Sequence, residues 1–182
     1  GNDGEVKGVT LSEDRHGEGG KTYEFDGESN RIEIKPFDSQ AFSSITFSAW
    51  ICTQDKRPAM HIFANFNRGD RSAQRFHVLL SGIGPAGHCA VQVDDGVGSQ
   101  PYLVANKSTS DKQWHQIIAT WDSIDGTLSI YLDGEQDASR DVSIKSSLNL
   151  KYPIWIGGQN GFGDRHFKGQ IDDIRIYNRA LS

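Results

Sequence analysis

The sequence predicts an all-β fold, an antiparallel sandwich of two sheets, from three observations. Apolar and polar residues alternate with a period of two in many short segments, which is the pattern of a strand with one buried face. Turn residues such as Asp-Gly and Gly-Gly separate these segments. No segment carries a sustained helical period between capping residues. Many short strands of this kind are typical of a sandwich.

Eight strands are predicted in order along the chain. In the first, Ile45, Phe47, Ala49 and Ile51 share one face, and the residues between them share the other. Between two later strands, an Asp-Gly pair at 125–126 predicts a hairpin. The predicted strands cover residues 45–52, 61–66, 75–80, 89–93, 114–121, 127–132, 154–156 and 171–177.

Length, charge and chain ends limit the possible classes of protein. A chain of 182 residues suits one domain, 1–182, and its abrupt start without Met or a signal peptide indicates a module excised from a larger multi-domain protein. The net charge of -5 argues against a nucleic-acid binder, and no apolar run reaches the roughly 20 residues of a membrane helix. Cys52 and Cys89 lack the spacing of a zinc site, and the sequence leaves open whether they form a disulfide.

Strand parity predicts a polar face. If the first four strands form successive hairpins, Phe47 and its counterparts on the other three strands face the core. The opposite face then carries an aromatic ring beside amide, imidazole and guanidinium groups, from Trp50, Asn65, Arg75, His77 and Gln92. A ring that stacks on a sugar and planar groups that bind adjacent hydroxyls are what a carbohydrate site needs, although an ordinary solvated sheet face gives the same pattern.

Several ordered segments resemble the laminin-G-like, concanavalin A-like jelly-roll family. They include Phe-Ser-Ala-Trp-Ile at 47–51 and the closing run from Phe167 to Ser182, which is the most specific of them. The other matching segments are residues 14–17, 23–27, 114–122 and 128–134. The resemblance covers nearly the whole chain and implies a jelly roll of two curved antiparallel sheets packed face to face. It does not imply one function.

The resemblance suggests three functions. Members of the family serve as carbohydrate-binding modules of secreted polysaccharide-degrading enzymes, as protein-interaction or adhesion modules, or as spacers without a ligand. We expect the first, with a polysaccharide and the catalytic domain of the parent chain as partners, and a secreted or cell-surface location. Nucleic acid and membrane are not expected as partners.

The resemblance also implies a structural calcium ion where the opening strand meets the closing one. The matching positions are Glu24, Asp26, Gly27 and Asp172. Calcium takes six to eight hard oxygen ligands, which carboxylates and backbone carbonyls at a Gly turn can supply. The alternative is that Asp26 caps a turn and that Asp172 pairs with Arg175 or Arg15.

Two loops carry further candidate contacts. Residues 56–77 hold five basic residues, Arg71 and Arg75 among them, and one acidic residue, so they would select an acidic or sulfated glycan unless they are merely solvated. The glycine-rich loop at 157–167 offers Asn160 and His166 at the rim. An Arg-Gly-Asp tripeptide at 68–70 is too short to carry a function.

The sequence argues against an enzyme. Retaining glycosidases need two carboxylates about 5 Å apart, and the Glu-x-Asp-x-x-Glu run of the related glucanases is absent. A Gly-x-Ser-x-Gly elbow is also absent. The sequence therefore predicts a non-catalytic module with no catalytic residues.

Overall fold

The computed structural model describes residues 4–37, 41–65, 69–70, 72–144, 146–161, 163 and 165–181. These residues form strands and no helix, which confirms the predicted all-β class. Accordingly, no described helix is long and apolar enough to span a bilayer. The strands are β1 (Glu5–Lys7), β2 (Thr10–Ser12), β3 (Thr22–Asp26), β4 (Arg31–Ile34), β5 (Ala41–Phe42), β6 (Ser44–Cys52), β7 (Met60–Asn65), β8 (Arg75–Leu80), β9 (His88–Asp94), β10 (Tyr102–Ser108), β11 (Trp114–Asp122), β12 (Thr127–Leu132), β13 (Glu135–Asp141), β14 (Leu148–Asn149), β15 (Ile154–Ile156) and β16 (Lys168–Tyr177).

Two seven-stranded antiparallel sheets pack face to face. Sheet A has the order β1-β4-β15-β7-β8-β9-β10, and sheet B has the order β13-β12-β11-β6-β16-β3-β2. The short strands β5 and β14 pair separately. The core lies between the sheets because the inward residues of both are apolar, and Phe47 of sheet B contacts Phe63 of sheet A with ring centroids 5.1 Å apart.

The predicted parity is confirmed on the core side. Ile45, Phe47, Ala49 and Ile51 are fully buried in the core. The β11 partners of the first three are Trp121, Ala119 and Ile117, which are also fully buried. The hairpin at the Asp-Gly pair is also confirmed, since β11 and β12 pair in register on either side of it.

The predicted order of hairpins is wrong at its first step. Strands β7, β8 and β9 do form successive hairpins, but β6 does not pair with β7. Instead β6 lies in sheet B between β11 and β16, which are distant in sequence. The two cysteines also separate, because Cys52 ends β6 in sheet B and Cys89 lies in β9 in sheet A, and both thiols are free.

Candidate functional site

Three of the predicted ligand contacts share the outer face of sheet A. His77 on β8 lies directly opposite Gln92 on β9, and Arg75 lies opposite Asp94. These residues alternate with core residues such as Phe76, so their side chains point away from the core. Arg75 is half-buried and forms an ion pair with Asp94 at 3.2 Å.

Two other residues predicted for this face lie elsewhere. Trp50 lies on the outer face of sheet B, on the opposite side of the sandwich, because β6 belongs to that sheet. Asn65 is fully buried, accepts a hydrogen bond from the N–H of Phe76 at 2.9 Å and donates to the carbonyl of Gln74 at 3.2 Å. Asn65 therefore fixes the β7–β8 hairpin, and the predicted five-residue sugar face is not assembled.

Buried histidines occupy the middle of the outer face of sheet A. The rings of His61 and His77 meet edge to face with centroids 5.3 Å apart, and both residues are less than 5% exposed. Burial lowers the pKa of His77 to about 4 and holds that of His61 well below its ordinary value. Both rings are therefore neutral at pH 7 and pack against each other in a buried part of the outer face.

The glycine-rich loop places its two predicted contacts differently. Asn160 is half-buried at the loop, whereas His166 is only 6% exposed and forms a parallel bridge with His61. Burial lowers the pKa of His166, so this ring is also neutral at pH 7. The remaining predicted contact, Arg71, lies outside the described residues.

The basic segment at 56–77 is partly neutralised within the fold. Arg57 pairs with Asp55 at 2.8 Å, as Arg75 does with Asp94. Asp70 also acts internally, since one carboxylate oxygen accepts from Ser72 and the other binds Tyr152 and Lys151. Its pKa is therefore held low, and the Arg-Gly-Asp match offers no free aspartate.

A cleft of about 640 Å³ opens on the outer face of sheet B, and we call it the Glu24 cleft. The floor of the cleft is a row of paired residues on four neighbouring strands of sheet B. Glu24 on β3 pairs with Thr10 on β2 and with Gln170 on β16, and Gln170 pairs with Cys52 on β6. The cleft is lined by Thr10, Glu24, Phe25, Asp26, Asn30, Cys52, Thr53, Gln54, Asp55, Lys112, Lys168, Gly169 and Gln170. Its volume is within the range of about 300–1,000 Å³ that is usual for small-molecule sites.

The charges of the cleft are mixed and partly available. Asp26 and Asp55 are occupied, by the turn at 27–30 and by Arg57 respectively. Among the residues that the structure describes, Glu24, Lys112 and Lys168 have no hydrogen-bond or ion-pair partner for their charged groups. The two ammonium groups can therefore donate to hydroxyl or carboxylate oxygens of a ligand, and the carboxylate can accept from ligand hydroxyls.

The expected calcium ligands do not converge on one site. Asp26 lies opposite Lys168, whereas Asp172 lies four residues further along β16, which is about 13 Å away in a strand. Asp172 binds Arg15 at 2.9 Å, and Asp26 binds three backbone N–H groups. The described residues hold no cluster of three or more metal-ligating side chains. These four residues therefore do not fit a shared calcium ion, and the alternative roles of Asp26 and Asp172 are the ones observed.

Trp50 lies beside the cleft with one ring face covered. It is two residues before Cys52 on the same face of β6, and Asp172 is its partner on β16. The guanidinium of Arg15 lies 4.9 Å from the ring centroid and is held there by Asp172 and Asp173. Trp50 is not a lining residue of the cleft, and stacking of a sugar on the ring face that Arg15 covers requires displacement of Arg15.

Sequence reasoning missed Lys112 and Lys168 as lining residues. Lys168 falls in the closing run that matched the family, and Lys112 falls in a turn between two strands. A single lysine in a turn carries no pattern, so no sequence signal distinguished Lys112 from a solvated lysine.

Several solved structures share this fold. The binding domain of Paraclostridial mosquitocidal protein 1 has a TM-score of 0.76 and 19% identity, over 100% of this chain and 45% of that chain. A putative carbohydrate-binding protein from Bacteroides ovatus has a TM-score of 0.67 and 23% identity, over 89% and 45%. Domain 4 of an extracellular arabinanase from Geobacillus stearothermophilus, in complex with arabinotriose, has a TM-score of 0.69 and 16% identity, over 97% and 78%.

These similarities establish the fold, and the sequence itself establishes the family. The chain spans less than half the length of the first two structures. No curated protein sequence matches it significantly. Residues 26–182 match the model of the laminin-G group described as the concanavalin A-like lectin/glucanases superfamily. The match covers well over half of the chain, and the protein belongs to this superfamily.

Proposed function

We propose that the chain is a non-catalytic carbohydrate-binding module and that the Glu24 cleft holds its ligand. The observation that carries the proposal is the cleft itself, an open depression lined by one carboxylate and two ammonium groups that have no ion-pair partner among the described residues. Sugar hydroxyls both donate and accept, so acceptors such as Glu24 and donors such as Lys168 can share them. Two structural neighbours, a putative carbohydrate-binding protein and an arabinanase domain bound to arabinotriose, support the ligand class.

The charges of the cleft support an anionic glycan. Asp55 is offset by Arg57, and Asp26 keeps its charge because its turn bonds come from neutral N–H groups, so the two carboxylates of Glu24 and Asp26 balance the two ammonium groups and the support rests on the two lysines that have no ion-pair partner. The lysines come from different elements, Lys112 from the β10–β11 turn and Lys168 from the start of β16. A uronate or sulfated sugar between them satisfies both, whereas a neutral sugar leaves their charge uncompensated.

The same arrangement supports a binding role over catalysis. Glycoside hydrolysis normally requires two carboxyl groups on either side of the scissile bond. In the Glu24 cleft, Asp26 is held by the turn at 27–30 and Asp55 by Arg57, which leaves Glu24 as the uncommitted carboxylate among the described lining residues.

We further propose that the module acts outside the cell, tethered to a catalytic domain beyond these 182 residues. The support is the arabinanase neighbour, in which a domain of this fold belongs to an extracellular polysaccharide-degrading enzyme. Tethering of this kind raises the local concentration of the enzyme on its polymer without any new catalytic contact.

Affinity electrophoresis and calorimetry with a glycan panel test the proposal. The panel contains arabinotriose and linear arabinan as neutral ligands, and polygalacturonate and a sulfated galactan as anionic ones. We expect Lys168→Gln to weaken binding of the anionic ligands by about two- to fivefold, and Glu24→Gln to weaken both classes. Lys107→Gln, the same change on β10 in sheet A, is the matched control.

Two outcomes would overturn the proposal. Binding to none of these glycans by the intact chain removes the carbohydrate function and favours a protein-interaction module or a spacer. If Glu24→Gln and Lys168→Gln have native circular dichroism and bind the glycan as tightly as wild type, the Glu24 cleft is not the binding site.

A further inference from the structure

Three residues with side chains adopt a left-handed backbone conformation in or next to strands of sheet B. Lys112, Asp133 and Asp173 all have positive φ, of 69°, 53° and 48°. This left-handed conformation costs a residue with a side chain roughly 1–2 kcal/mol, and thirteen of the glycines that the structure describes adopt positive φ without that cost. A lysine in such a position persists only where its surroundings fix it, and strain of this kind clusters at functional sites.

The turn that carries Lys112 is fixed at three points. The N–H of Lys112 donates to the carbonyl of Thr53 at 2.8 Å. One carboxylate oxygen of Asp111 accepts from the N–H of Gln113 at 2.9 Å and from Nε2 of His115 at 3.1 Å. Lys112 is therefore held against residue 53, which also lines the Glu24 cleft.

His115 connects this turn to the tight Asp-Gly turn between β12 and β13. Its Nδ1 lies 2.8 Å from Oδ2 of Asp133, while the other carboxylate oxygen of Asp133 accepts from the N–H of Gln116 at 2.8 Å. Both ring nitrogens thus face carboxylate oxygens. A neutral imidazole has one N–H and can donate to only one of them, so this geometry requires the protonated ring.

We propose that His115 is a positioning residue for the Glu24 cleft: its imidazolium ties Asp111 to Asp133 and so holds Lys112 where it binds an anionic sugar. The inference rests on the proposed function and adds the regulation of that site. Deprotonation breaks one of the two carboxylate contacts, releases one end of the turn at 111–113 and lets Lys112 leave its strained conformation.

The surroundings of His115 define the pH range. The charged groups that act on it are Asp111 on its own hairpin and Asp133 on the β12–β13 turn, and its partner on β6 is the apolar Ile51. Burial alone would lower the pKa of His115, but the two carboxylates outweigh burial and raise the pKa above 6.5. Anion binding is therefore strongest below this raised pKa and falls as the pH rises through it.

Calorimetry with polygalacturonate and arabinotriose between about pH 5.5 and 8.5 tests the inference, because the uronates of the ligand stay ionised across that range. For the wild-type chain we expect affinity for polygalacturonate to fall about fivefold across the range, the worth of one exposed ion pair. Arabinotriose binding should stay constant. His115→Gln should abolish the pH dependence and bind as weakly as wild type at the alkaline limit, whereas the exposed His16→Gln should keep the wild-type profile.

A second variant separates positioning from folding. Lys112→Gly removes the strained side chain, so we expect a higher melting temperature together with an anion affinity that is low at every pH. Polygalacturonate binding that does not change with pH, or a wild-type profile in His115→Gln, overturns the inference while the proposed function stands. Binding to neither probe overturns the proposed function itself.

Discussion

Replacement of Asp26 distinguishes a turn anchor from a metal ligand. Its Oδ1 accepts hydrogen bonds from three successive backbone N–H groups, those of residues 28–30, at 2.8, 3.1 and 3.2 Å. Because the turn is exposed, water replaces these hydrogen bonds in Asp26→Ala. The free energy of unfolding should therefore fall by about as much as when a helix N-cap residue is replaced by Ala, about 0.5–2 kcal/mol. For a chain of this size that corresponds to a fall in melting temperature of roughly 1–8 °C. Asp26→Asn keeps an acceptor and should cost less.

Acid provides a second test of the same residue. Partial burial opposes ionisation of Asp26, but the three N–H bonds outweigh burial and lower its pKa below 3.8. When the pKa of a carboxyl is lower in the folded than in the unfolded state, its ionised form stabilises the fold at every pH above the unfolded-state pKa. This stability is lost as the pH falls through the folded-state pKa. The difference in melting temperature between wild type and Asp26→Asn should therefore persist at neutral pH and shrink below about pH 3–4.

The assay is thermal unfolding followed by circular dichroism, with and without EDTA. Asp125→Ala, in another exposed turn, is the control for loss of a surface carboxylate. We expect EDTA to leave the wild-type melting temperature unchanged. If EDTA lowers the wild-type melting temperature and also removes the difference in melting temperature between wild type and Asp26→Ala, Asp26 is a calcium ligand. That result refutes the assignment of Asp26 as a turn anchor.

Two further predictions concern buried groups. Asn65→Ala leaves the N–H of Phe76 and the carbonyl of Gln74 without their buried partner, and should cost about 1–3 kcal/mol in urea unfolding, whereas Asn178→Ala on the surface should cost almost nothing. Burial raises the pKa of both thiols, so Cys52 should react slowly with a thiol reagent in the native state and Cys89 only after unfolding. Loss of a thiol to a disulfide in the native protein would contradict the second prediction.

The core could be predicted from the sequence because it depends on local alternation. Ile45, Phe47, Ala49 and Ile51 face inward whichever strands lie beside them. The choice of neighbours is different, since β6 lies between β11 and β16, more than sixty and more than a hundred residues away. Periodicity contains no information about such pairings. The sequence therefore predicts Trp50 on the same sheet face as His77, whereas Trp50 lies in sheet B and His77 in sheet A.

The candidate site was predicted only in part for the same reason. The sequence offers Glu24 and Asp26 as metal ligands, and they line the Glu24 cleft because β3 lies beside β16 in sheet B and brings them opposite Gln170 and Lys168. Lys112 comes close to them through a long-range contact with Thr53, which depends on a backbone conformation that a lysine rarely adopts. Neither the contact nor the conformation leaves a trace in the local sequence.

The position of β16 in sheet B has a consequence for biosynthesis. This strand, Lys168–Tyr177, lies in the interior of the sheet between β6 and β3, although it is the last strand of the chain. A ribosome delivers β3 and β6 long before the strand that joins them, and both must wait with unpaired edges. Sheet B, and with it the floor of the Glu24 cleft, can form only after residue 177 has left the exit tunnel. Such nascent chains are candidates for chaperone protection until synthesis has passed that point.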